Sequence, residues 1–158
     1  MSDEWSVKNV RQMHWVENAM GAYCDLADGE ELPQFAINLN VLPPGSPMAI
    51  YHREPHQEGF LVLRGECVLI VEGTETQLHQ WDYFNCPPDV AHVVVGAGDE
   101  PALVLAVGHR GPGGATYPPE PLAAAFRAST DDDHDARAAY AQFGKLQDVP
   151  FREEFLTG

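Results

Sequence analysis

Histidine and glutamate side chains alternate in a short stretch near the middle of the chain, at His52, Glu54, His56 and Glu58. In an extended strand every second side chain points to the same face, with successive same-face residues about 7 Å apart, so His52 and Glu54 are expected to share one site. A further histidine, His92, begins a second apolar stretch later in the chain. Imidazole and carboxylate groups that strands bring together are the usual ligands of a mononuclear metal site. We therefore predict a metal centre whose ligands come from these four residues and His92.

The elements that must position these residues are predicted to be strands. Apolar and polar residues alternate from residue 35 to 41, which is typical of a half-buried strand. Met48 and Ile50 are expected on the same face as His52 and Glu54 of the next strand. Further strands are expected over residues 60–63, 68–71, 76–79, 92–95 and 102–107, separated by turns that contain Gly or Pro. Short strands at this spacing predict an all-β fold in the form of a double-sheet jelly-roll barrel.

The first ligand-bearing stretch resembles the first motif of the cupin family. That motif has the form His-x-His, three or four residues, Glu, six residues, Gly. Glu58 and Gly65 have the required spacing, and counting back from Glu58 over three residues places Glu54 at the second histidine position and His52 at the first.

The second stretch resembles the second cupin motif, Pro-x-Gly-x-x-His-x-x-x-Asn. Pro87 and His92 match it, while Asp89 stands at the Gly position and Gly96 at the Asn position. The resemblance covers residues 35–108 and implies the cupin barrel, a double-stranded β-helix. It also implies one divalent metal ion, since cupins bind iron, manganese, zinc, nickel or copper through three histidines and one glutamate. At the matching positions of this chain the resemblance implies His52, Glu54, Glu58 and His92 as the metal ligands.

Glu54 departs from that family set because it puts a carboxylate where cupins usually carry a histidine. A carboxylate makes the site more anionic and favours harder cations. Two histidines and one carboxylate also form the facial triad of non-haem Fe(II) oxygenases. The alternative register uses His56 in place of Glu54, which restores three histidines and requires the chain to bend at Pro55.

Two classes of function agree with these residues. The first is a metalloenzyme for a small oxygenated substrate, either a dioxygenase or an isomerase, in which the carboxylate that is not a ligand, Glu54 or Glu58, serves as general base. The second is a non-catalytic cupin that binds or senses a small molecule in the same pocket. No catalytic residue is otherwise assigned.

Composition excludes several other classes. A net charge of −15, from 24 acidic and 9 basic residues, disfavours binding to nucleic acids and anionic membranes. The three cysteines, Cys24, Cys67 and Cys86, form no CxxC pair and indicate neither a zinc ribbon nor a disulfide framework. The first residues do not have the pattern of a signal peptide, and no apolar run is long enough to span a membrane, so a cytoplasmic location is expected.

The chain is expected to form one barrel with additions at both ends. Residues 1–34 are predicted as an edge strand and loop that pack on the barrel, residues 35–110 as the barrel, and residues 111–158 as an extension with one or two short helices. The helices are expected over 122–128 and 136–143, the second after the acidic run 131–134. The resemblance further implies a homodimer, because cupins commonly pair through sheet edges.

Overall fold

The computed structural model describes residues 5–131 and 135–158, and it folds into two antiparallel sheets. The strands β1 to β10 comprise Trp15–Asn18, Gly21–Asp25, Phe35–Leu42, Glu58–Arg64, Glu66–Val71, Thr74–Leu78, Tyr83–Cys86, His92–Ala97, Ala102–His109 and Gln147–Val149. A 3-10 turn lies at Val10–Gln12, and the helices α1 to α3 are Pro121–Ala124, Ala136–Ala141 and Glu154–Thr157. The predicted all-β jelly-roll with short C-terminal helices is confirmed. None of the helices in the described part of the chain has the length and apolar character needed to cross a bilayer.

The larger sheet has the strand order β10-β1-β2-β3-β9-β4-β7, and the smaller has the order β6-β5-β8. β3 and β9 pair along their whole lengths, from Phe35 opposite His109 to Leu42 opposite Ala102. β4 lies on the other side of β9, and a bulge shifts its register between Val62 and Arg64. The two sheets enclose an apolar cluster that includes Phe60, Val62, Leu69, Val94 and Val104.

The ends of the chain cover part of each outer face of this barrel. On the larger sheet, Trp15 stacks on Phe155 of α3 with ring centroids 4.8 Å apart, over the outward side chains Leu39 and Val41. On the smaller sheet, Ala123 of α1 joins a second outer cluster with residues of β5 and β8. Strands that are buried on both faces have continuous runs of apolar residues, which explains the three successive valines of β8.

Three local predictions differ from the structure. The segment 46–54 is not a regular strand; it follows β8 through single bridges at Pro47–Val95 and His52–His92. Residues 15–25 form a hairpin of two strands where one edge strand is predicted, since Gly21 provides the positive φ that its turn requires. The C-terminal extension, residues 111–158, contains three short helices and β10, where one or two short helices are predicted. Of the predicted acidic run, residues 132–134 lie outside the described residues.

Two turns, one at the end of the first cupin-like motif and one near the start of the second, show why their residue types matter. Gly65 has φ +79°, and a Cβ there would lie 3.0 Å from the Cα of Ala102. Asp89, at the position where the family carries Gly, has φ +63°. Aspartate is among the residues that tolerate the left-handed region, so it can replace Gly in this turn. The backbone N–H of Asp89 donates to the carbonyl of Glu54 at 2.7 Å, which ties the second motif to the first.

Candidate metal centre

Backbone pairing brings the two motifs together. His52 and His92 form a bridge in which each backbone N–H donates to the other's carbonyl, at 3.2 and 2.8 Å. His92 is the first residue of β8, and Glu58 is the first residue of β4. The site therefore lies where the irregular segment 46–54 and the starts of two strands, one from each sheet, meet at one end of the barrel.

His52, Glu58 and His92 place one potential ligand atom each within 4.8 Å of one another. Ligands bound to a common ion at about 2.0–2.2 Å lie no more than about 4.4 Å apart. The observed spacing therefore needs only small side-chain adjustments to hold an ion. Both histidines are buried, with 8% of His52 and 2% of His92 exposed.

Each histidine is oriented by a carbonyl two residues before it. His52 Nδ1 lies 2.7 Å from the Ile50 carbonyl oxygen, and His92 Nδ1 lies 3.0 Å from the Val90 carbonyl oxygen. These contacts are satisfied when Nδ1 carries the proton and donates it, which leaves Nε2 with a free lone pair. Such support of the distal nitrogen is characteristic of metal-binding histidines.

Two buried atoms at the centre find no hydrogen-bond partner within the described residues. They are Glu58 Oε2 and His92 Nε2, which lie 3.3 Å apart. An unsatisfied buried polar atom costs about 1–3 kcal/mol, and a cation bound between the two would satisfy both. The residues present therefore fit a divalent metal ion.

Without a metal, burial and neighbouring charges set the protonation of the centre. Burial, with the nearby charge of Glu54, raises the pKa of Glu58 to about 7. Burial, with the nearby His52, lowers the pKa of His92 to about 4. Burial also opposes protonation of His52, but hydrogen bonding to Glu54 and the Ile50 carbonyl and the charge of Glu58 outweigh it and raise its pKa. The pKa of Glu54 is lowered, mainly by its hydrogen bond to His52.

The remaining two candidate ligands occupy different places. Glu54 lies beside the three-residue group but outside it, with Oε1 3.5 Å from His52 Nε2 and about a third of its side chain exposed. His56 Nε2 lies 2.9 Å from the Pro112 carbonyl oxygen, and its ring lies 5.1 Å from that of His109. The structure thus directs His56 toward the loop after β9, and Glu54 toward the cavity.

The centre opens into a cavity of about 230 Å³. Its lining includes side chains that the sequence analysis did not assign to the site: Tyr23, Asn38, Asn40, Tyr117 and Tyr140. Tyr117 follows Thr116, which pairs with Arg53, and this pairing places its ring 5.8 Å from that of His52. Every Lys and Arg of the chain lies within the described residues, and none of them lines this cavity.

The polar residues of β3 turn toward this cavity, and its apolar residues turn outward. Asn38 and Asn40 line the cavity, whereas Leu39 and Val41 pack under the chain ends. The alternation of β3 is visible in the sequence. The sequence does not show that the polar face of β3 points to the cavity, because a polar face ordinarily points to solvent.

Comparison with known proteins agrees with this architecture. Residues 38–108 match the family model of the cupin domain. The sugar phosphate isomerase of the cupin superfamily from Silicibacter pomeroyi DSS-3 has a TM-score of 0.62 and 26% sequence identity, covering 68% of this chain and 77% of that chain. A search of curated proteins found no match to the sequence.

Two further solved structures resemble the chain at lower identity and support the fold alone. An RmlC-like cupin from Shewanella frigidimarina NCIMB 400 has a TM-score of 0.59 and 18% identity, covering 70% of this chain and 96% of that chain. A cupin protein from Bacteroides fragilis has a TM-score of 0.56 and 21% identity, covering 70% of this chain and 86% of that chain. Residues 38–108 thus form a cupin domain.

Proposed function

We propose that the protein is a metal-dependent enzyme that moves a proton within a small, uncharged oxygenated substrate. His52, Glu58 and His92 would hold one divalent ion, drawn from iron, manganese, zinc and nickel. The observation that carries this proposal is the pair of buried, unpartnered atoms Glu58 Oε2 and His92 Nε2. A bound divalent ion would act as a Lewis acid that polarises a substrate carbonyl.

Glu54 is the proton acceptor in this scheme. Its lowered pKa keeps it ionised near neutral pH, and it lines the cavity beside the centre. In a substrate with a hydroxyl group next to a carbonyl, Glu54 would take the proton from the carbon that bears the hydroxyl and return it to the former carbonyl carbon. The hydroxyl proton would move to the former carbonyl oxygen, so the substrate is isomerised with no gain or loss of atoms. This assignment gives Glu54 the base role and differs from the four-ligand set predicted from the motif.

The cavity lining supports an uncharged substrate. The structure with 26% identity is a sugar phosphate isomerase, which supports isomerase chemistry. A phosphate group, however, requires cationic or N–H partners. None of the described residues that line this cavity is Lys or Arg, and two are glutamates. We therefore propose isomerase-type proton transfer on a hydroxy- or oxo-compound that lacks a phosphate.

Oxygen activation is the second candidate function. Two histidines and one carboxylate within 4.8 Å make the ligand set of the facial triad. Oxygen uptake with the iron-loaded protein would favour this candidate. A metal-loaded protein that binds small molecules without turnover would favour the non-catalytic alternative.

Proton transfer is tested by deuterium exchange. Uncharged hydroxy-ketones and diketones would be incubated with the metal-loaded protein in D₂O, and incorporation at carbon would be followed by NMR. We expect exchange with the wild type and a loss of at least 100-fold with Glu54→Gln. Equal exchange by Glu54→Gln would remove Glu54 from the base role.

We also propose that the protein forms a homodimer in the cytoplasm. The outer face of the larger sheet carries an apolar groove of about 500 Å³, and Phe35, Tyr83 and Val107 lie exposed along it. A second copy that covered this groove would remove the exposed apolar surface from water. The buried thiols of Cys24, Cys67 and Cys86 are unpaired, which supports a reducing compartment.

A further inference from the structure

A second cavity, of about 210 Å³, lies against the metal cavity. The two share four lining residues, Tyr23, Asn40, Met48 and Tyr140. The rest of the second cavity is mostly apolar and consists of Asn18, Met20, Gly21, Ala22, Leu42 and Leu146. We call this second cavity the annex.

The annex is built mainly by residues outside the cupin domain. Residues 18–23 of the β1–β2 hairpin form one side, and Tyr140 and Leu146 of the C-terminal extension form another. Two hydrogen bonds hold these parts together: Asn18 Nδ2 donates to the Gly144 carbonyl at 3.2 Å, and the Ala19 N–H donates to the Phe143 carbonyl at 3.1 Å. The annex is therefore a feature of this chain's additions to the barrel.

Tyr140 stands at the boundary between the two cavities. Its hydroxyl accepts a hydrogen bond from the Ile50 N–H at 3.3 Å, and its ring meets that of Tyr117 edge-on at a centroid distance of 6.2 Å. Burial raises the pKa of Tyr140, so its hydroxyl remains a neutral donor. The side chains therefore change from His52, Glu58 and His92 at the centre, through the shared neutral polar groups, to apolar side chains in the annex.

Two lobes of such different polarity require a substrate with two ends. We propose that the annex holds the apolar tail of the substrate, whose oxygenated end lies at the metal centre. The substrate class is then an uncharged hydroxy- or oxo-compound with a hydrocarbon tail of a few carbons. This inference rests on the proposed function and deepens it.

The test uses hydroxamates, which bind divalent metals through two oxygen atoms and are available with tails of increasing length. Zinc-loaded protein would be titrated calorimetrically with the two-, four-, six- and eight-carbon hydroxamates. Each methylene that enters the annex should tighten binding by about fourfold, the equivalent of ~0.8 kcal/mol per buried CH₂. The gain should stop when the annex is full.

Leu146 provides the variant, because more than half of its surface is exposed and a substitution there spares the core. Leu146→Glu should abolish the gain with tail length and leave acetohydroxamate binding unchanged, and Leu146→Met should retain the gain. A gain that persists in Leu146→Glu, or affinities independent of tail length in the wild type, would overturn the annex proposal and leave the metal centre standing. Failure of the wild type to bind zinc, or of the zinc form to bind acetohydroxamate, would overturn both proposals.

Discussion

At the centre, the buried atoms Glu58 Oε2 and His92 Nε2 lie 3.3 Å apart and have no hydrogen-bond partner in the described part of the chain. His52 is the third member of the group, and its backbone pairs with that of His92. Glu54 has a different environment, since it is more exposed and contacts only one member of the group, His52. At the scale of single residues, the two glutamates should therefore respond differently to the same substitution.

The first prediction compares Glu58→Gln with Glu54→Gln. Glu58→Gln removes a proposed ligand and should weaken metal affinity by at least 100-fold, whereas Glu54→Gln should change it by less than tenfold. Equilibrium dialysis with metal analysis measures both. Comparable losses in the two variants would instead support the four-ligand set predicted from the motif.

The second prediction concerns pH. A metal ion must displace the protons held by Glu58, whose pKa is raised to about 7, and by His52, whose pKa is also raised. Both groups retain their protons to higher pH than usual, so metal affinity should increase as pH rises through about 7, where Glu58 loses its proton. His92 adds little to this change because its pKa is lowered to about 4.

Glu54→Gln provides the control for this titration. It removes the negative charge that helps to raise the pKa of Glu58 and the partner that raises the pKa of His52. In Glu54→Gln, the increase in metal affinity should therefore occur at lower pH than in the wild type. A pH profile that did not move would show that Glu54 does not influence the protonation of the centre.

At the scale of elements, turns set the positions of the proposed ligands. The turn at Asp89 has φ +63° and donates its backbone N–H to the Glu54 carbonyl. A β-branched residue is strained in this conformation, whereas Gly adopts it freely.

The third prediction follows from that turn. Asp89→Val should lower the free energy of unfolding by about 1–2 kcal/mol, and Asp89→Gly should change it by less than about 1 kcal/mol. Urea denaturation measures both values. Equal destabilisation by the two variants would mean that the aspartate side chain, and not the backbone conformation, matters at this position.

The sequence predicts the barrel and the approximate site because motif spacing and apolar alternation are local properties. It does not separate Glu54 from His56, because that choice depends on the path after Pro55, where His56 contacts Pro112. It also does not assign Tyr117 and Tyr140 to the cavity, since only tertiary contacts bring the extension to His52. The regular strand predicted before Glu54 is replaced by single bridges to β8.

At the scale of the whole molecule, the chain's own ends cover part of the larger sheet and leave the apolar groove open. Tyr83, on the edge strand β7, is 62% exposed in this groove. The position of the groove is consistent with a homodimer in which two copies of the chain meet at this sheet edge.

The fourth prediction tests the pairing by light scattering after size exclusion. The wild type should have twice the 17.4 kDa mass of one chain, and Tyr83→Glu should have the single mass because it places a charge in the covered groove. Leu146→Glu is the matched control, since Leu146 is also exposed but lies away from the groove, and it should remain dimeric. A wild type of single mass would exclude the homodimer.

The metal centre itself is tested by the metal content of the protein after purification without an affinity tag or added metal. The wild type should carry about one divalent ion per chain, and His92→Gln should carry almost none while it retains the wild-type circular dichroism spectrum. Equal metal content in the two proteins would place the ion elsewhere. A wild type that takes up no iron, manganese, zinc or nickel, even when these are supplied, would contradict the metal centre itself.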